Sequence, residues 1–266
     1  MEINSMRQTH QLIVTILVLV LLTACGGNEQ SSNVSLPTVL PPAGQTTSDT
    51  VSQLCDNTLF PVKQNASWSY FSSGGPNGDF AYTDTITSLT QDGFVLTSQF
   101  PTLSLTQNWI CAPEGYIAQQ LGGGTTASVS MQNMITDFKT IQVSGVSLPR
   151  TLTPGMQWKY DLSMQGAVAM PGEQTQSPGT FSLTMQELGT EIITVPAGTF
   201  DATKIQATFT ANIDVDFEGS AIRYTVNGTS LLWYAPGVGF AKSIENIDFS
   251  GTSFTSTTEL QSYNIP

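Results

Sequence analysis

Residues 203–218 read TKIQATFTANIDVDFE. The odd positions Ile205, Ala207, Phe209, Ala211, Ile213, Val215 and Phe217 are all apolar. The even positions from Lys204 to Glu218 are all polar. A strict period of two over this length means a strand with one dry face and one wet face. That pattern belongs to antiparallel sheets, because parallel strands are buried on both sides. The strand is also longer than usual, so it must twist, bend or carry a bulge. Its dry face has to be buried, and the chain shows no clear amphipathic helix to cover it. The expected fold is therefore all-β: a mostly antiparallel, strongly twisted sheet that curls into a barrel-like or half-barrel form.

The neighbouring residues extend this reading. Pro196 and Gly198 in PAGT set a turn between strands at 191–195 and 200–217. EGS at 218–220 turns the chain again. Asn227-Gly228 is the strongest two-residue hairpin signal and predicts a further reversal there. Residues 237–249 and 254–263 supply two more strands. Met131, Met134, Ile135 and Phe138 have helical spacing, yet their neighbours favour strand, so the connector after Gly122-Gly123-Gly124 is open to both readings.

The first half resembles the second. FPVKQNASWSYFS at 60–72 and LTPGMQWKYDLS at 152–163 each carry a proline followed by Trp-x-Tyr, as Trp68 with Tyr70 and Trp158 with Tyr160. NWICAPEGYIAQ at 108–119 matches LLWYAPGVGFAK at 231–242, which places Trp109 opposite Trp233. Between these landmarks each half holds one hairpin, turning at Asp92-Gly93 in the first. The expectation is a pseudo-repeat with halves at 56–122 and 150–249, inside a β-domain of 53–266.

The N-terminus sets the compartment. LIVTILVLVLL at 12–22 is too short to span a bilayer, which needs about 20 apolar residues, and has the length of a signal-peptide core. LTAC at 22–25 follows it directly and resembles the lipobox of bacterial lipoproteins. The resemblance implies a signal peptide of 1–24, cleavage before Cys25, and palmitate-type acyl chains on Cys25. It also implies a location in the bacterial cell envelope, on the periplasmic or surface face of a membrane. Gly26 stands where an Asp would favour the inner membrane, so the outer membrane is favoured. Residues 25–52 are rich in Ser, Thr, Gly and Pro and read as a flexible tether, reaching about 28 Å root-mean-square.

LFPVKQNASWSY, ITVPAGTFDATKI and LWYAPGVGFAKS together resemble the landmarks of an uncharacterised family of bacterial secreted and lipidated β-proteins. The resemblance implies fold and location, and carries over no catalytic residue.

Composition excludes several functions. The formal net charge of −12, with scattered basic residues, argues against nucleic acid as a partner. The one histidine, His10, lies in the signal peptide, so the mature chain has no imidazole for a Ser-His-Asp mechanism or a zinc site. No catalytic site, metal site or cofactor is expected. Cys55 and Cys111, in an oxidising compartment, read as a disulfide pair, with free thiols as the alternative. Asp214, Asp216 and Glu218 share one strand face, and a wet face explains them better than calcium, which needs six or more oxygens from several segments. The aromatic residues Trp68, Tyr70, Trp109, Trp158, Tyr160, Trp233 and Tyr234 read first as core, and second as the lining of an apolar ligand site.

Three classes of function remain. The first is a non-catalytic, membrane-anchored lipoprotein that binds an apolar small molecule or an envelope protein on a concave sheet. The second is a structural or assembly adapter of the outer membrane. The third is a carboxylate-dependent enzyme such as a glycosidase, which needs two acids facing across a cleft.

Overall fold

The computed structural model describes residues 53–266 except 77, 123–125, 127, 128, 130–134, 169–175, 218, 219 and 250. The signal peptide, Cys25, the tether, Met131, Met134 and Glu218 lie outside the described residues. The described residues belong to one compact unit, Ser48–Pro266.

Strands β1 (Ser67–Ser73), β2 (Phe80–Thr90), β3 (Gly93–Gln99), β4 (Ser104–Ala112) and β5 (Gly115–Ala118) run as one meander. Strands β8 (Gln157–Val168), β9 (Gln176–Val195), β10 (Gly198–Phe217), β11 (Ser220–Ala235) and β12 (Gly239–Phe249) run as another. Strand β13 (Thr252–Asn264) joins them by pairing with β12 on one side and β1 on the other. Strands β6 (Ile135–Gly145) and β7 (Leu148–Pro149) lie between the meanders in sequence and at opposite ends of the sheet in space. Among the described residues the result is a single 13-stranded antiparallel sheet, all-β as expected. Trp68 and Trp158 each take the second position of a leading strand, β1 and β8. Trp109 and Trp233 each precede a corner, β4 to β5 and β11 to β12.

The sheet's two ends meet through one segment. Strand β6 follows β8 as far as Gly145, which pairs with Tyr160, and the Val146 amide then donates to the Lys159 carbonyl at 2.9 Å. One residue on, the Ser147 amide donates to the Tyr116 carbonyl of β5 at 2.9 Å, and Leu148 pairs with Tyr116. The chain thus changes partner from one end of the sheet to the other within three residues. Gly145 makes the change possible: its φ is 78°, and a Cβ there would stand 2.1 Å from the Lys159 carbonyl oxygen. Tyr160 adds a side-chain tie across the same junction, its hydroxyl donating to the Ala118 carbonyl at 2.8 Å.

The alternation in β10 sets the core. Ile205, Ala207, Phe209, Ala211, Ile213 and Val215 are all buried, and Gln206 and Thr208 are exposed. The expected irregularity falls between Lys204 and Ile205, where the register with β9 shifts. Beyond that bulge the buried positions change face to Ile193, Val195 and Ala202. The PAGT tip then reaches β13, with the Ala197 amide donating to the Leu260 carbonyl at 3.1 Å. Strand β9 starts at Gln176, well before the expected 191, because the ladder with β10 continues through the bulge.

One expectation is corrected and one open reading is decided. Asn227-Gly228 makes no turn and lies within β11, with Thr210 opposite Asn227 and Phe209 opposite Gly228. The glycine is there because the Phe209 ring covers it: a Cβ at 228 would stand 2.4 Å from the ring. The dipeptide's turn preference is local and gives way to long ladders on both sides. Ile135 and Phe138 belong to β6 rather than to a helix.

The first core lies around Trp68, Phe94 and the Cys55–Cys111 disulfide, and the second around Trp158, Met185 and β10. Residues 53–62 pack over both corners of the meanders. Tyr116, in the first corner, donates to the Cys55 carbonyl at 2.5 Å, and the Gly237 amide, in the second, donates to the Thr58 carbonyl at 2.7 Å. Phe60 stacks on Trp68 at 5.0 Å and on Phe94 at 6.0 Å. The two corners therefore share one end of the sheet, and this segment closes it.

Candidate functional site

A cavity of about 240 Å³ lies between the two cores. Its walls come from both meanders, with Phe60 at one end. Inward positions alternate along each strand, so β1 contributes Tyr70, β2 Tyr82 and Asp84, and β4 Gln107 and Trp109, while in β12 an extra residue at Ala241 brings Phe240 to the same side as Glu245. Strands β8 to β11 contribute Tyr160, Phe181, Leu183, Phe209, Leu232 and Tyr234.

Four of the seven aromatic residues singled out in the sequence meet here: Tyr70, Trp109, Tyr160 and Tyr234. The other three do not line the cavity. Trp68 is buried in the first core, its indole N–H donating to the Val238 carbonyl at 2.6 Å. Trp158 is buried in the second core. Trp233 donates to Glu191 at 2.5 Å and lies under the Lys204 ammonium, 5.2 Å from the ring centre. Each indole follows the face of its strand: neighbouring residues of β11 point to opposite sides, so Tyr234 faces the cavity with Leu232 and Trp233 faces away from it.

The wall near Asp84 is a continuous aromatic surface. Tyr70 stacks on Tyr82 at 5.0 Å and meets Phe240 at 5.4 Å, and Phe240 meets Tyr234 at 5.8 Å. Trp109 lies almost parallel to Phe94 at 5.6 Å, and its indole N–H is buried without a hydrogen-bond partner. That is a donor left over inside the protein, where nearly all such groups are satisfied.

Two carboxyl groups stand in this apolar setting. Asp84 accepts a hydrogen bond from the Ser98 hydroxyl at 2.5 Å. Burial pushes its pKa from 3.8 up to about 7, with the Ser98 bond opposing the shift. Glu245 is 2% exposed and accepts from the Thr126 amide at 3.0 Å and from the Ser256 hydroxyl at 3.4 Å. Burial, with the charge of Asp84 next, raises Tyr70 and Tyr82 well above the usual tyrosine range and Tyr234 to about 12, so all three hydroxyls stay protonated. Neither acid was singled out in the sequence. The signal was present: Tyr82-Asp84-Ile86 and Ala241-Ser243-Glu245-Ile247 each put a carboxylate in phase with a dry face.

Asp214 and Glu187 have structural partners. Arg223 holds Asp214 with two hydrogen bonds, at 2.6 and 2.9 Å, which lowers the Asp214 pKa and agrees with a wet strand face. Glu187 accepts from the amides of Gly155 at 2.8 Å and Gly189 at 2.7 Å and so secures the β9 bulge. Among the described residues no group of three His, Cys, Asp or Glu side chains is placed to hold a metal ion. Cys55 and Cys111 form a disulfide, with their Cα atoms 5.1 Å apart.

No curated protein matches the sequence significantly. Two solved structures share the fold. One is a candidate exported protein with YmcC-like fold from Bacteroides fragilis NCTC 9343, with 16% identity, a TM-score of 0.53, and coverage of 79% of this chain and 100% of that one. The other is a candidate lipoprotein from Parabacteroides distasonis ATCC 8503, with 14% identity, a TM-score of 0.50 and the same coverage. The sequence profile of the DUF3108-like family matches residues 123–260, more than half of the chain, and the chain therefore belongs to the DUF3108-like family.

Proposed function

We propose that the protein is a non-catalytic, lipid-anchored protein of the bacterial envelope that holds a small, largely apolar ligand between its two cores. One observation carries this reading: the two meanders leave an aromatic-lined cavity of about 240 Å³ rather than a filled core. Interiors are normally packed to crystal density, and aromatic cavities with few polar groups are the usual form of small-molecule sites. The lipobox-like LTAC supports anchorage through Cys25, and the fold shared with a candidate lipoprotein and a candidate exported protein supports the same location. The outer membrane, favoured by Gly26, belongs to this reading as well.

The test is native mass spectrometry of the purified protein, combined with titration of an apolar fluorophore. A retained or bound small molecule, lost when Leu183→Trp fills the cavity, is the expected outcome. A protein that binds no apolar probe, with or without the substitution, overturns the proposal. A stable protein partner in its place favours an assembly adapter.

A second reading rests on Asp84 and Glu245 lining the same cavity, since a carboxylate-dependent hydrolase needs two such acids. It expects turnover of aryl glycosides that Asp84→Asn abolishes.

A further inference from the structure

The chemistry of the cavity goes further than its apolar character. Among the described residues that line it there is no Lys, Arg or His, whereas Asp84 and Glu245 are both present. An anionic ligand would meet two carboxyl groups and no cation. Around Asp84 the lining is aromatic, and aromatic rings attract positive charge, the more so when water is excluded. The rings of Tyr70, Tyr82, Phe240 and Tyr234 follow one another at centroid distances of 5.0, 5.4 and 5.8 Å, so one side of the cavity is a connected aromatic wall. A carboxyl group set into such a wall, with one hydroxyl as its hydrogen-bond donor, lacks a cation for balance.

Resting on the cavity reading above, we propose that the cavity selects an amphiphilic cation: an apolar body bearing an ammonium group, the charge placed at Asp84 against Tyr70, Tyr82, Tyr234 and Phe240. The apolar body occupies the side lined by Phe181, Leu183, Phe209 and Leu232. Fatty acids and other anionic amphiphiles are rejected by the same two carboxyl groups.

Four probes of one chain length separate charge from apolar fit: octylammonium, octyltrimethylammonium, octanol and octanoate. The compact unit Ser48–Pro266 holds every strand of the described residues, both cores and the disulfide, and is the form used, without the lipid. Binding is followed by titration calorimetry and by tryptophan fluorescence, of whose four emitters only Trp109 lines the cavity. The two ammonium probes should bind about tenfold more tightly than octanol, with octanoate weakest. Asp84→Asn should bring the ammonium probes level with octanol, while Asp214→Asn, at an exposed acid outside the cavity, should leave the order intact. Octanoate binding as tightly as octylammonium overturns the proposal but leaves the cavity reading standing. An unchanged ammonium preference in a folded Asp84→Asn protein also overturns the proposal. Failure of all four probes overturns both readings. The order of affinities in the unsubstituted protein decides the matter by itself if Asp84→Asn does not fold.

Discussion

Asp84 carries the most consequential single-residue chemistry in the structure. Its carboxyl has a pKa of about 7 when folded, against 3.8 ordinarily. Between these values the folded protein holds a proton that the unfolded chain releases, so the stability contribution is intact at about pH 4 and is lost as pH rises towards 7. Asp84→Asn removes this dependence and can still accept from Ser98. The variant should therefore gain about 1–3 kcal/mol on the wild type between pH 5 and pH 8, read from denaturant melts at each pH. A gap that stays constant with pH would refute the assignment. At Trp68 the expectation is different in kind. Trp68→Phe keeps most of the buried ring but leaves the Val238 carbonyl without its donor, at a cost of about 1–3 kcal/mol independent of pH. At this scale the sequence was half legible. It marked the aromatic residues but not the acids, because an acid on a dry face is visible only once the phase of its strand is known.

At the scale of elements, glycine positions decide where strands change partner and where they cross closely. Gly145→Ala puts a Cβ into the Lys159 carbonyl at a positive φ. It should cost more than about 1 kcal/mol and should lower hydrogen-exchange protection at Ser147, where the sheet closes, more than in β10. Gly228→Ala drives a methyl group into the Phe209 ring. It should cost about 1–3 kcal/mol, and Phe209→Leu in the same chain should recover part of that loss in a double-mutant cycle. The long alternation of β10 was readable because a half-buried antiparallel strand writes its burial directly into its sequence. The Asn227-Gly228 turn was misread because local preference is weaker than fifteen successive residue pairs between β10 and β11.

For the whole molecule, the closure of one end depends on residues 53–62, which the disulfide ties to β4 across a sequence separation of 56 residues. Cys55→Ala with Cys111→Ala should lower stability by about 2–4 kcal/mol. Because Phe60 lines the cavity, the same change should speed exchange of any bound apolar probe in stopped-flow measurements. Unchanged exchange with lowered stability would mean that residues 53–62 hold the sheet end without help from the bridge.

The sequence by itself determined the antiparallel all-β class, the long one-face-dry strand, the matched Trp-x-Tyr entries and the matched corners. Each is written in nearest-neighbour terms, as a period of two or a turn residue at a fixed offset. The tertiary structure alone decided that the two corners share one end, that β6 and β7 join the ends of the sheet, and that Asp84 and Glu245 face one cavity. These are relations between residues far apart in the chain, and they exist only after the sheet has curled and its inward faces have met.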